Sequence, residues 1–317
     1  MVTMVSTALA FFGLESRRMI KDKGAFICHG EKGAVRLTKT EDPPHVIQLA
    51  HAVKEHLAQR GFTQTDRYIV AETGLPYVQL GIDRYTATRI SGGREMDFAS
   101  PSDVMEAISH MGRFHAAARG FTGEIPSADS HALIIRQGSD VIQQALKQIR
   151  RQKLRSDFDI LLIKNAPCYE ARMAQAAQTL SASPCAALYA QAMARNHICH
   201  NALKEEYIFI GEGYFSHFTA VTQDIQLTDL AAFIRRYALG GDASLPLAHL
   251  LEAYNKNNPL PNGSEAVLRG LLNYPAPFIK IVKQYYSKKR SWTPAGLNNR
   301  MEAVLAGQAR YDAYLEQ

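Results

Sequence analysis

Residues 85–120 read YTATRISGGREMDFASPSDVMEAISHMGRFHAAARG. The pattern changes part-way. Tyr85 to Ile90 reads as a strand, rich in β-branched and aromatic side chains. Gly92-Gly93-Arg94-Glu95 then interrupts it, and a helix follows over 104–119 with Val104, Met105, Ile108 and Met111 along its buried face. Ser102 or Asp103 is placed to cap that helix. A strand, a glycine-bearing connector and a helix in this order mark the border between two kinds of structure.

Upstream the texture is mixed. The opening MVTMVSTALAFFGLESRR has its charges after its apolar run, the wrong polarity for a secretory signal. It is also too short to span a bilayer, and it reads as a helix ending near Gly13. GAFICHGEKGAVRLTK (24–39) reads as a hairpin turning at Gly30-Glu31-Lys32-Gly33. Pro43 and Pro44 open a helix whose stripe is Val46, Ile47, Ala50, Val53, Leu57 and Ala58, closed by Gly61. RYIVAE (67–72) and LPYVQLG (75–81) join 85–90 as a three-strand meander. Residues 1–91 therefore read as a small α+β lobe with an antiparallel sheet and one main helix, and 92–98 as a connector or hinge.

Downstream the chain is mostly helical. Two long helices are expected over 139–164 and 168–195, two short strands at 206–210 and 213–218, helix again from Leu227, and a tail helix after Pro294. Residues 99–317 make a large helical lobe. A length of 317 residues, 46% of them apolar, supports a two-part globular chain. No later segment has about 18 uninterrupted apolar residues, so no membrane span is expected. Cys28, Cys168, Cys185 and Cys199 lack metal-finger spacing and read as free thiols. The net charge of +6 speaks to association, not to fold.

This element order is that of protein-kinase-like phosphotransferases, an α+β bilobal fold. Such chemistry is mostly positioning and charge neutralisation. A strand lysine holds the nucleotide phosphates and a helix glutamate holds the lysine; a loop aspartate takes the hydroxyl proton; an asparagine and a later aspartate hold magnesium. HICHNALKEEYIFI (197–210) fits the loop only if His200 is its histidine, which puts Ala202 at the base and Tyr207 at the metal-binding asparagine. In YFSHFT (214–219) the metal-motif aspartates become His217 and Thr219. Thr38 stands where the strand lysine is expected; Arg36 shares its face and Lys39 points away. Glu55 is a candidate helix partner or a solvated surface residue. Tyr207, a ring in place of a small amide, is expected to plug the cleft.

EHLAQRGF (55–62), ETGLPYVQLGIDRYTATRISGGREMDF (72–98), MGRFHAAARGF (111–121) and YPAPFIKIVKQYYSKKRSWTP (274–294) resemble the CotS family of bacterial spore coat proteins, a branch of the aminoglycoside and choline kinase-like superfamily. The resemblance implies a kinase-like fold, other spore coat proteins as partners, and passage from the mother-cell cytoplasm to the spore coat. Members often keep His-x-Asp and Asp-x-Asp elements; this sequence has neither at the matching positions. A general base contributes typically ~10²–10⁴ in rate, and a bound metal several kcal/mol of charge stabilisation. A pseudokinase is therefore expected, with no catalytic residue, metal or cofactor, and Arg36, Thr38, Glu55 and Arg94 as nucleotide-cleft candidates. The alternative is an active or nucleotide-binding phosphotransferase using ATP and magnesium through displaced acids such as Glu205, Glu206 or Asp224.

Other readings compete. His197, Cys199, His200 and His217 could bind zinc, or His200 could shape the loop through a backbone hydrogen bond while Cys199 packs. His115 is expected buried. Arg94-Glu95 forms local ion pairs in a turn or lines a cleft. KQIRRQKLR (147–155) reads as a solvated helix face with Ile149 and Leu154 inward, and KQYYSKKR (283–290) with Trp292 as a protein contact. No nucleic-acid partner is expected.

Overall fold

The computed structural model describes residues 2–31, 33–90, 92–211, 213–240, 243–287 and 293–317. Lys32 of the expected hairpin turn, Ser91 at the connector, and Lys288, Lys289, Arg290 and Trp292 of the basic-aromatic segment lie outside them. The chain packs as two compact units, residues 1–126 with 196–223 and residues 127–195 with 224–317.

The first unit carries α1 (Val2–Phe11), β1 (Arg18–Asp22), β2 (Ala25–Gly30), β3 (Gly33–Thr40), α2 (Pro44–Gln59), β4 (Val78–Leu80), β5 (Asp83–Arg89), β6 (Arg94–Glu95) and α3 (Pro101–Ala117). β7 (Ile198–Cys199), β8 (Ile208–Ile210), β9 (Tyr214–Phe215) and β10 (Thr222–Gln223) return to it later in the chain. Five strands form one antiparallel sheet in the order β1-β2-β3-β5-β4. Its two faces differ because side chains alternate along each strand. Cys28, Val35, Leu37, Tyr85 and Ala87 bury one face in a cluster with Val5, Ala8, Leu9 and Phe12 of the N-terminal segment. Arg36, Thr38 and Thr40 of β3 and Thr86 and Thr88 of β5 occupy the other, with Thr38 paired to Thr86 and Arg36 to Thr88. Gly13 ends α1 at φ +63°, a left-handed conformation that glycine adopts without strain.

Local signals explain where elements moved. α3 starts at Pro101, three residues before the expected position, because Ser100 rather than Ser102 or Asp103 is its cap, accepting from Asp103 N. Proline at the first turn loses no intrahelical bond. Residues 67–72 form no strand: Tyr68 makes one isolated bridge to Thr88, and the chain turns back with Ala71 N–H donating to Leu75 O. The strands expected at 206–210 and 213–218 are the shorter β8 and β9, flanked by single 3-10 turns.

The second unit is helical: α4 (His131–Arg150), α5 (Asp157–Ala182), α6 (Cys185–Ala194), α7 (Leu227–Gly240), α8 (Leu247–Asn255), α9 (Ser264–Asn273), α10 (Ala276–Tyr286) and α11 (Pro294–Leu315). The two helices expected over 139–195 are three, and the first break falls at 151–156 rather than near Pro167. Ser156 and Asp159 make a reciprocal capping box that starts α5 there. Pro167 is carried inside α5, whose inner face buries Phe158, Leu162, Ala166, Tyr169, Met173, Ala176 and Leu180. That burial outweighs the one backbone hydrogen bond the proline removes. Tyr169 stacks on Phe278 with ring centroids 3.7 Å apart, at the centre of a cluster that α10 and α11 complete with Ile281, Val282, Leu297 and Met301. Among the described residues no helix is long and apolar enough to cross a membrane.

Phe278 is fully buried in that stack. Phe278→Ala should cost about 3–5 kcal/mol, the range for emptying a buried phenylalanine site. Urea unfolding of the full chain measures it, and a loss below 1 kcal/mol, roughly the scale of a surface change, would contradict the stacked core.

Candidate functional site

The threonine face of the sheet opens on a cavity of about 540 Å³ within the first unit. Thr38, Thr40, Thr86 and Thr88 line it from the sheet, Asp66 and Tyr68 from the segment after α2, and Tyr207, His217 and Thr219 from the β8–β9 region.

Of the sequence candidates, Arg36 and Thr38 reach the cavity wall. The Arg36 guanidinium is turned to Asp22, its Nη2 donating at 3.1 Å. Lys39 pairs with Asp83 at 2.7 Å, as expected of a residue on the opposite side of the strand. Glu55 does not line the cavity; it takes a two-pronged contact from Arg67 and is half-buried. Arg94 does not line it either. It forms a paired ion contact with buried Asp103, while Glu95 bonds Lys23. The local Arg94–Glu95 ion pair is thus replaced by two separate partners, one upstream and one downstream: the β6–β8 pairing fixes the connector, and Asp103, near the start of α3, is the carboxylate Arg94 meets. Gly93, at φ +106°, is required there, since a Cβ would stand 2.5 Å from Ile210 O.

The 197–220 region is shaped by backbone bonds. His200 is buried; its Nδ1 accepts from Ala202 N–H at 3.2 Å and its Nε2 donates to Ser216 O at 3.0 Å. Both ring nitrogens are committed, which leaves none to ligate zinc. The loop-shaping reading of His200 and the packed Cys199, also buried, describe this segment. Among the described residues no three His, Cys, Asp or Glu side chains are grouped to hold a metal ion. All four cysteines are free, and Cys168 is exposed. Ala202 is buried behind the loop and is not on the cavity wall. Tyr207 lies flat on His217, centroids 4.2 Å apart at 13°, and the expected plug does not form: the ring lines a cavity that remains open. His217 sits in the left-handed region at φ +66°, and its Nε2 is 3.3 Å from Thr219 Oγ1. Partial burial lowers its pKa below the ordinary imidazole value.

The sequence reading passed over Lys54. It is fully buried, its Nζ 2.7 Å from Asp66 Oδ1 and 2.8 Å from Asp66 O, and 3.8 Å from the Tyr68 ring centre. Burial pulls its pKa down, against the pull of Asp66. The signal was present: Ile47, Ala50, Lys54 and Leu57 recur at spacings of three and four, so Lys54 belongs to the apolar stripe and Glu55 does not. Asp224, a displaced-acid candidate, lies in the helical unit, where burial pushes its carboxyl up to about 7. Glu206 reaches the cavity wall and Glu205 does not.

Residues 9–317 match the family described as "Spore coat putative kinase YutH". The chain belongs to this family. The match runs through both compact units, in agreement with the CotS-type resemblance. No curated protein matches the sequence. Among solved structures, an aminoglycoside phosphotransferase from Alicyclobacillus acidocaldarius subsp. acidocaldarius DSM 446 superposes with a TM-score of 0.84 at 16% identity, covering 98% of this chain and 93% of that one. A spectinomycin phosphotransferase bound to ADP and spectinomycin gives 0.68 at 10%, covering 98% and 97%. A microcompartment-associated aminopropanol kinase gives 0.52 at 12%, covering 100% and 98%. At these identities the likeness establishes the fold: an α+β kinase-like chain with an antiparallel N-terminal sheet and a larger helical part.

Two outcomes are expected of the ion pairs. Asp66→Ala should cost about 3–5 kcal/mol, because it leaves the fully buried Lys54 ammonium without its counter-ion. Lys54→Met combined with Asp66→Asn should cost less than the sum of the two single losses; strict additivity in denaturant unfolding would show that the pair is not coupled. Asp103, held by Arg94 at a pKa of about 2 against an ordinary 3.8, stabilises the fold above the ordinary value, and that contribution is lost as pH falls through about 2. The stability gap between wild type and Asp103→Asn should therefore be constant near neutrality and shrink below about pH 4. A gap unchanged at pH 3 would contradict the pairing.

Proposed function

We propose that the chain is a spore coat protein that keeps a kinase-like fold without phosphoryl transfer and acts in coat structure or assembly through contacts with other coat proteins. The carrying observation is the identity of the residues at the loop and hairpin positions: Ala202, Tyr207, His217 and Thr219. A methyl group accepts no proton. Magnesium takes an octahedron of hard oxygen ligands, commonly with one or two carboxylates, and none of the four supplies a carboxylate. Asp66, the acid nearest His217 N–H at 3.5 Å, is occupied by Lys54. Asp42, also on the cavity wall, takes the Thr40 hydroxyl at 2.8 Å. Among the described residues no three carboxylate, histidine or cysteine side chains are grouped to hold a metal ion. Losing the base and the metal together removes the terms on which phosphoryl transfer rests. Membership of a spore coat family supports synthesis in the mother cell and deposition in the coat.

A second reading is nucleotide binding without turnover. The size of the cavity and the presence of Lys23, Arg36 and Arg89 on its wall favour it. Thermal melting with MgATP separates the two. A nucleotide at 100 times its Kd would stabilise the fold by ~2.7 kcal/mol. The expected result is an unshifted melting curve and hydrolysis at background. A shift without turnover would establish the second reading, and turnover abolished by Glu206→Gln would overturn the first.

A further inference from the structure

Residues 147–164 read KQIRRQKLRSDFDILLIK, with six cations and two acids. Lys147, Arg150, Arg151, Lys153, Arg155 and Lys164 are all exposed, and no ion pair among the described residues engages them. In their midst Leu154 is 87% exposed. The sequence reading placed it inward beside Ile149, but α4 ends at Arg150 and the Ser156 capping box starts α5, so Leu154 falls in the loop between. Ile149 is buried as expected. Ile160 and Ile163 are exposed as well, at 54% and 38%.

Leu154, Ser156, Asp159, Tyr285 and Tyr286 line a recess of about 440 Å³ in the helical unit. Its floor is held firmly. Tyr285 stacks on Phe158 at 3.8 Å and donates to Ser156 Oγ at 2.9 Å. Asp159 accepts from Ser156 N–H at 2.8 Å and from the Tyr286 hydroxyl. The one acid at the recess is therefore satisfied internally, and the surrounding field is positive.

We propose that this face is a docking surface for an acidic segment of another protein that carries an apolar side chain. The cations select a partner of opposite charge and speed its encounter. The recess, with exposed Leu154 on its wall, takes the apolar group. A nucleic-acid backbone would use the charges but gain nothing from an exposed leucine on the wall of a recess. A lipid surface would use both, but it is flat and has no side chain to seat in a recess. The proposal does not depend on whether the cavity of the other unit holds a nucleotide.

The test uses the full-length protein and fluorescein-labelled peptides of defined composition. One peptide alternates glutamate with leucine and tyrosine; controls replace the apolar residues with serine or the glutamates with lysine. Phosphatidylglycerol vesicles form a further arm. The glutamate–leucine–tyrosine peptide should bind, and more tightly than either control. Leu154→Asp and, separately, the double change Arg151→Glu with Arg155→Glu should each weaken it at least ~tenfold, the scale of one buried leucine. Because these positions are exposed, both variants should melt with the wild type. Equal affinity for wild type and variants, no binding, or no preference over the serine control would overturn the proposal. Leu154-dependent binding to vesicles without binding to the peptide would overturn it in favour of a membrane surface.

Discussion

The first unit is organised around one buried charge pair. Lys54 reaches inward from α2 and meets both the side chain and the carbonyl of Asp66. Asp66 in turn donates its own N–H to Phe215 O and lies 3.5 Å from His217 N–H. The ammonium also sits over the rings of Tyr68 and Phe218. A helix, the segment that follows it and the β9 region are thus fixed by an acid whose loss would strand a fully buried cation. Such a pair is poor evidence of net stability, since an apolar replacement of both partners is often as stable. It is better understood as setting which groups meet.

The two faces of the sheet carry the second lesson. Alternation on β3 sends Val35 and Leu37 into the apolar cluster and Arg36, Thr38 and Thr40 to the cavity. Cross-strand register doubles the effect by setting Thr86 and Thr88 opposite Thr38 and Arg36. The cavity wall is therefore hydroxyl-rich, with cations that already have partners in Asp22 and Glu95. The kinase-like frame thus presents threonine hydroxyls and paired cations on this side of its sheet.

Much of this was legible in the chain. Order and periodicity located α2, the β2–β3 hairpin, the change of texture near Glu95 and the tail helix. The shared face of Arg36 and Thr38 followed from alternation along the strand, and a backbone role for His200 was one of the two readings its sequence allowed. Errors arose where two local rules competed. Pro167 invited a helix break, but the Ser156–Asp159 capping box and the long buried face of α5 outweighed it. Residues 67–72 carry Tyr68, Ile69 and Val70 in a row, yet their contact with β5 is limited to the Tyr68–Thr88 bridge and the Ile69 N–H to Ala87 O bond. Leu154 was assigned to a buried face by extending α4 past its end.

By itself the sequence determined which residue types occupy each position, the alternation of strands and the stripe of each helix, because these depend on neighbours a few residues away. It also determined that Ala202 and His217 bear no carboxylate. Only the tertiary structure decided that Lys54 rather than Glu55 faces inward to an acid, that Arg94 takes Asp103 and Glu95 takes Lys23, and that Tyr207 leans on His217 and leaves the cavity open. Those outcomes depend on groups up to 72 residues apart along the chain. Partner choice between distant charges is settled by which elements pack together, and no local pattern encodes that.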